Sequence, residues 1–300
     1  MLYLIDASIY IFRGWKTLPH SVKDSAGRPF NAVTGFADTL ANLIRLEQPR
    51  MMLCAWDNCG RNGERNRLYP PYKADRPPAP AELESQFGRC RDLAAAFAIT
   101  GFSSQRVEAD DIIGHFSQLA TANDQAVTII SGDKDLAQFI TPSDTYWDIG
   151  KQAKQSFKDL HKRFNVRPDQ VADWLALAGD KSDNIPGVPG VGLSTAARLL
   201  RRWDNLDTLY TNLGGVADMK FRGAPGVARM LAEHTQQVQL ARTLTGCIKE
   251  PALPDSLAKL DYKLPSQESL ESALIALDFN QQEAARLAKL ATQPIAGSSV

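Results

Sequence analysis

Short apolar runs alternate with longer amphipathic stretches through the first half of this 300-residue chain. Leu2–Ile5, Met51–Trp56 and Val127–Ile130 have the length and composition of buried strands. The first is followed by a loop. Ala32–Glu47, Ala81–Ala98 and Ala109–Ala120 carry apolar residues at helical spacing, for example Leu83, Phe87, Leu93 and Phe97. Strands alternating with helices predict an α/β fold with a mostly parallel central sheet. After about residue 150 the pattern is helical. Lys151–Arg167 reads as a basic helix. Pro168–Ala178 opens on a proline and closes at Gly179, both good boundary signals. Ser194–Arg202 is a further helix, and helix and loop continue to about Leu290. Thr292–Val300 reads as a frayed tail. The expected division is an α/β domain over 1–165 and a helical region over 166–300.

Composition narrows this little. Hydrophobic residues make up 44% and charged residues 23%, ordinary for a globular protein. No apolar run reaches a membrane span's length. The N-terminus reads as a first strand and not as a signal peptide. Cys54, Cys59, Cys90 and Cys247 include no CxxC pair, so free thiols and a cytoplasmic setting are expected.

Charge matters more through its placement. Asp6, Asp57 and Asp133 fall just after the three apolar runs, and further acids stand at Glu108, Asp110, Asp111, Asp135, Asp180 and Asp183. Ends of parallel strands share one edge, where such folds build their sites. Carboxylates gathered there repel: a pair at 4 Å costs about 4 kcal/mol at an effective dielectric near 20. Cations between them resolve the conflict, and all-oxygen donors favour Mg²⁺ or Mn²⁺. Each group alone also fits a helix cap or an Asx turn; the set of them points to metal. The chain has 34 basic and 34 acidic residues, and setting the nine acids aside leaves the rest at +9, enough for a basic track to phosphates.

Two segments bear on that track. Residues 58–80 lack a clear period at first and interleave Arg61, Arg65, Arg67, Lys73 and Arg76 with Tyr69 and Tyr72. This fits a phosphate-binding surface with aromatics for base stacking, or else a solvated loop. Lys73 or Arg76 could clamp a phosphodiester transition state. Gly187, Gly190 and Gly192 precede a helix, where exposed backbone N–H groups bind phosphate or simply turn the chain.

Taken together, Leu4-Ile-Asp6, Ala55-Trp-Asp57, Tyr69-Pro-Pro-Tyr-Lys-Ala-Asp-Arg76, Val107-Glu-Ala-Asp-Asp-Ile-Ile-Gly114, Ser131-Gly-Asp-Lys-Asp-Leu136 and the run Gly179–Gly192 resemble the 5′-nuclease family. That family includes the 5′–3′ exonuclease domain of bacterial DNA polymerase I, phage 5′-exonucleases and flap endonucleases. The resemblance implies a PIN-like sheet flanked by helices, a helical arch at about 60–90, and a helix–hairpin–helix-type motif at 187–192. It implies a metal-dependent, structure-specific 5′-nuclease acting through two Mg²⁺ or Mn²⁺ ions. Asp6, Asp57, Glu108, Asp110 and Asp111 match acids around one ion, Asp180 and Asp183 those of the other, and Asp133 and Asp135 those between. Lys73 and Arg76 match basic residues at the arch base. Arg65, Tyr72, Gly187, Gly190 and Gly192 are expected DNA contacts, with K⁺ expected at the Gly-rich turn.

The implied partner is branched or nicked DNA with a 5′ end or flap, bound by a monomer, away from membranes and at the nucleoid. With no polymerase region following, the chain resembles a stand-alone member or an excised nuclease domain. The alternative is a structure-specific DNA-binding protein with little turnover. RNA-cleaving PIN-like domains lack the long Gly-rich segment. Two departures stand out: Glu64 where relatives often carry an aromatic, and Leu193-Ser194-Thr195 where they often carry lysine.

Overall fold

The computed structural model describes residues 1–151 and 153–293. Its centre is a six-stranded sheet in the order β3-β2-β1-β4-β5-β6. The strands are β1 (Leu2–Asp6), β2 (Met51–Asp57), β3 (Thr100–Ser104), β4 (Val127–Ile130), β5 (Thr145–Trp147) and β6 (Gln155–Ser156). The first five pair in parallel; β6 is antiparallel to β5. In the central register Leu4 faces Leu53 on one side and Ile129 on the other. Leu2, Leu4 and Ile5 are fully buried, so the apolar run is covered on both faces.

Helices α1 (Ala7–Thr17), α2 (Asn31–Glu47), α3 (Glu64–Leu68), α4 (Ala81–Ala96) and α5 (Ala109–Ala122) accompany these strands. The chain was expected to loop after the first strand; instead α1 begins at the next residue. A strand that runs straight into a helix offers no turn residues to read. α1 crosses α2 where Gly14 meets Gly35. A Cβ added at Gly35 would lie 2.5 Å from the Gly14 Cα, so this crossing requires glycine. Strands β3 and β5 were also not expected. Thr-Gly-Phe-Ser-Ser is a polar edge strand with alternating exposure, and β5 has three residues.

Within 60–90 only the first half reaches the sheet edge. A short 3₁₀ turn (Gly60–Asn62), α3 and a tight turn over Tyr69–Arg76 lie there. α4 buries Leu83, Cys90 and Leu93 in the same cluster as α2, and Gln86 accepts the Ala32 N–H at 2.9 Å.

The second half contains α6 (Phe157–Phe164), α7 (Val171–Ala178), α8 (Leu193–Trp203), α9 (Leu206–Thr211), α10 (Ala224–Glu233), α11 (Thr235–Thr245), α12 (Gln267–Ala276) and α13 (Gln281–Thr292). The expected helix over 151–167 is shortened, because Gln155–Ser156 joins the sheet and Ser156 then caps α6 through the Asp159 N–H. α12 and α13 return to pack on the α2 layer through Leu270, Leu274 and Leu287. No helix among the described residues is long and apolar enough to cross a membrane. The expected tail falls largely on 294–300, outside the described residues.

Candidate metal and nucleic-acid site

Parallel pairing puts the carboxyl ends of β1, β2, β3 and β4 on one edge. Asp6 ends β1, Asp57 ends β2, Glu108 caps α5 just after β3, and Asp133 follows β4. Asp6, Asp57, Glu108, Asp110 and Asp133 line one cleft of about 460 Å³, facing Lys73, Arg76, Arg13, Lys16 and Lys151. Asp135 and Asp183 border an adjoining small cavity that Asp110 also reaches.

The acids fall into two electrostatic classes. Asp6 is buried and accepts Ser131 Oγ at 2.8 Å, but no cation among the described residues pairs with it. Burial first, then Asp57, raise its pKa to about 7, with Asp133 adding to the effect. Asp110 makes no hydrogen bond or ion pair with any described residue. Burial, then Asp133 and Asp6, push its pKa well up. Asp57 is exposed and accepts Ser8 Oγ and the Ala109 N–H. Asp133 accepts the Asp135 N–H at 3.0 Å.

The second class is compensated. Burial alone would raise Glu108, yet Lys73 and Arg65 hold its pKa down; Lys73 Nζ lies 2.8 Å from Glu108 Oε1. Asp180 is likewise held below its ordinary value despite burial, by Lys134 Nζ at 2.7 Å and by Ser182. Asp183 pairs with Arg76 and accepts the Tyr72 hydroxyl at 3.1 Å. Asp135 is intermediate: burial and Asp133 raise its pKa to about 7 although Lys134 lies 2.9 Å away. Its Oδ1 is buried without a well-formed hydrogen bond.

Several expectations are corrected. Asp111 was expected as a metal ligand. It is 1% exposed and fully engaged, gripped by the Arg65 fork at 2.5 and 2.8 Å and accepting the Ile248 N–H. Arg65 was expected on DNA, but it is buried, and its remaining N–H groups donate to the Leu244 and Gly246 carbonyls. Tyr72 was expected to stack on bases. It is 3% exposed, and its hydroxyl bridges Glu108 and Asp183. Gly187 packs against the end of α7, where a Cβ would come within 2.2 Å of Ala178. Its carbonyl accepts Gln237, so its role is close packing. Gly190 and Gly192 are exposed, and Gly190 has a φ of +81° that glycine favours. Glu64, the first departure, pairs with Arg106 at 3.2 Å and does not enter the cleft.

Some participants escaped the sequence reading. Lys134 pairs with Asp135 and Asp180, Ser131 and Ser8 donate to Asp6 and Asp57, and Arg13 and Lys16 line the cleft. Lys134 stood in plain view between two aspartates, but its partner Asp180 is 46 residues away.

The donor set suits divalent cations. It is all-oxygen, partly buried, and includes Asp6 and Asp110, which form no ion pair with any described residue. Among the described residues no three His, Cys, Asp or Glu side chains are yet gathered closely enough to hold an ion. Like charges without a counterion stay apart, and Lys73, Arg76 and Lys134 draw three of the acids toward themselves.

Comparison with known proteins identifies the family and agrees with the fold. Residues 1–167 match the model of the 5′–3′ exonuclease N-terminal resolvase-like domain, and 166–268 that of the 5′–3′ exonuclease C-terminal SAM fold. The chain belongs to the 5′–3′ exonuclease family. Members named 5′–3′ exonuclease are 34% identical in Bacillus subtilis, over 81% of this chain and 86% of that one, and 29% identical in Buchnera aphidicola, over 93% and 97%. The DNA polymerase I of Pseudomonas aeruginosa is 33% identical over 93% of this chain, which spans 30% of that protein. The chain covers a third or less of the polymerase relatives it matches. The bacteriophage T5 flap endonuclease, solved as a pseudo-enzyme–product complex with DNA and metal ions, superposes with a TM-score of 0.64 at 19% identity, covering 97% of this chain and 99% of that one. The catalytic core of Rad2 with a DNA substrate gives 0.62 at 15% identity, covering 96% and 91%. These two likenesses bear on the fold. In this 5′–3′ exonuclease family member, Lys73–Asp183 and Lys134–Asp180 contacts link residues of the two matched regions.

Proposed function

We propose that this chain is a metal-dependent, structure-specific 5′-nuclease that hydrolyses DNA phosphodiesters at 5′ ends or flaps, using two Mg²⁺ or Mn²⁺ ions. The observation that carries the reading is the uncompensated group Asp6, Asp110 and Asp133 beside Asp57, facing Lys73 and Arg76 across one cleft. Relatives named 5′–3′ exonuclease and a DNA- and metal-bound flap endonuclease support it.

When bound, the ions supply charge neutralisation at the scissile phosphate and a more acidic attacking water. Asp6, Asp57, Asp110, Asp133 and Glu108 would hold the first ion, and Asp135, Asp180 and Asp183 the second. The protein's own cations then change role. Lys73 and Arg76 now neutralise Glu108 and Asp183. Once those acids' charge is offset otherwise, the ammonium and guanidinium are free to face a phosphate oxygen in a water-poor cleft. Tyr72 and Ser131 keep Glu108, Asp183 and Asp6 oriented through their hydroxyls. Exposed N–H groups at Gly190–Gly192, with K⁺ at that turn, and the basic residues of 151–167 would meet the duplex backbone. Backbone contacts read shape, so sequence preference is slight.

The test is a 5′-flap duplex with Mg²⁺ and a titration of the metal. Release of 5′ product, abolished in Asp133→Ala with DNA binding kept, is the expected result. Tight flap binding without any product would leave a DNA-binding protein without turnover.

A further inference from the structure

The side-chain cations that meet the acids do so in different ways. Lys73 lies 2.8 Å from Glu108, Arg76 pairs with Asp183, and both line the open cleft. Lys73 also reaches Asp183 at 3.7 Å, but Glu108 and Asp183 are assigned to different ions. Lys134 does not line that cleft. Its Nζ lies 2.7 Å from Asp180 Oδ2 and 2.9 Å from Asp135 Oδ1, so one ammonium bridges two carboxylates assigned to the same ion. Both acids are held by their own backbones. Asp180 and Ile185 exchange N–H and carbonyl bonds at 2.9 and 2.8 Å, and Asp180 Oδ1 accepts the Ser182 N–H and Oγ at 2.8 and 2.6 Å. Oδ2 remains, and Lys134 takes it. The Asp135 N–H donates to Asp133, and its carbonyl accepts Gln138 Nε2. Asp135 Oδ1 is nevertheless buried without a well-formed hydrogen bond, although the ammonium is 2.9 Å away.

That misfit separates a placeholder from a finished ion pair. A lysine ammonium is a compact point charge on a flexible four-carbon stem. Between two carboxylates it offsets one charge of two, and here it leaves a buried oxygen without an aimed donor, which costs desolvation. A divalent ion brings both charges, has no N–H direction to satisfy, and in the case of Mg²⁺ approaches oxygen to about 2.0–2.1 Å. It suits the pair better, but it arrives at carboxylates that already have a tenant. Asp6 and Asp110, assigned to the first ion, have no such tenant among the described residues. The Lys134 side chain is 38% exposed, so its ammonium can swing into water without disturbing the core.

We propose that Lys134 is a tethered placeholder for the second ion: its ammonium holds Asp135 and Asp180 together in the metal-free protein and makes the second ion bind more weakly than the first. This rests on the nuclease reading, which assigns those two acids to an ion. The consequence is an order of loading. The first ion enters without competition, and the second enters only by evicting Lys134.

The test reads metal binding in the full chain without DNA. Free Mn²⁺ is followed by electron paramagnetic resonance during titration of the wild type, K134M, K134Q and K134R, with a melt in EDTA to show that each is folded. The wild type should take up two Mn²⁺ with separated affinities. K134M keeps the length of the side chain and loses its charge. Its second Kd should fall by about tenfold or more, equivalent to about 1.4 kcal/mol, while the first changes little; K134Q should do the same. A second ion seen only in these neutral variants is the extreme form of that result. K134R keeps the charge and should bind as the wild type does. An unchanged or weaker second ion in K134M and K134Q overturns the proposal. So does equal tightening of both ions, which a general loss of positive charge would give, and so does a K134R that behaves like K134M. Cleavage of a 5′-flap duplex in Mg²⁺ is measured on the same preparations. Two bound ions without product would sink the nuclease reading while the binding comparison still decides the role of Lys134; no bound Mn²⁺ in any variant would sink both.

Discussion

Asp110 and Asp111 are neighbours in the chain and opposites in the fold. Asp110 faces the cleft with no partner, its pKa pushed well up by burial and by Asp133 and Asp6. Asp111 faces inward, held by the Arg65 fork and the Ile248 N–H. One residue of helix rotates a side chain by about 100°, enough to exchange a cleft for a core. The same contrast runs through the whole acid set. Asp6, Asp110 and Asp133 repel one another, and a proton or an added cation relieves that repulsion. Glu108, Asp180 and Asp183 already have cations from Lys73, Lys134 and Arg76. The first group would take metal under the proposed function. In the second, under the proposed function, a bound ion would take over from the side-chain cation and leave it free for a phosphate. Arg65 and Asp111 are a third case, a closed pair that joins α3, α5 and the end of α11.

The sharpest way to break this comparison is to neutralise the two neighbours separately. Asp111→Asn leaves the Arg65 guanidinium buried without its counter-charge. Breaking a buried pair costs about 3–5 kcal/mol, which should lower the melting temperature by roughly 10 °C. Asp110→Asn should melt at or above the wild-type temperature in EDTA, yet lose cleavage by a hundredfold or more, since metal stabilisation of the transition state is worth several kcal/mol. Equal melting shifts would show that the two acids do not differ as described.

Lys73→Ala addresses the displaced cation. Single-turnover cleavage should fall by about 10²–10³-fold, the scale of losing one preorganised electrostatic contact, with a much smaller change in DNA affinity. Cleavage at the wild-type rate would remove the clamp.

Proton uptake separates the classes further. Asp6 and Asp135 have folded pKa values near 7, above the ordinary carboxylate value. The folded state therefore holds more protons than the unfolded one between about pH 4 and 7, and metal-free stability falls as pH rises through that window. Melting curves in EDTA should drop from pH 5 to pH 8, and Mg²⁺ should restore more at pH 8 than at pH 5. A flat profile in EDTA would mean that the acids are not crowded.

The smallest effect belongs to the turn. Gly187→Ala places a methyl against the Ala178 and Gly179 backbone and should cost about 1–3 kcal/mol. Gly192→Ala meets open space and should melt like the wild type. Similar losses at both would contradict the packing role.

Much of the plan was legible in the chain. The three apolar runs became β1, β2 and β4 because continuous burial on both faces leaves a strong signal. Asp6, Asp57 and Asp133 could be placed at one edge from strand ends alone. β3 and β5 were not legible: an edge strand of five residues and one of three carry little apolar pattern. α1 was hidden because it follows β1 without a loop.

By itself the sequence determined the alternation of strand and helix and the placing of Asp6, Asp57 and Asp133 at one sheet edge, where acids need a counter-charge. It could not tell which acids were already paired, because Lys134 meets Asp180, and Arg76 meets Asp183, across 46 and 107 residues. The tertiary structure decided that Arg65, Tyr72 and Asp111 are internal and that Asp6 and Asp110 stand unpaired. Burial and pairing set the state of a charge, and both depend on neighbours that only the folded chain brings together.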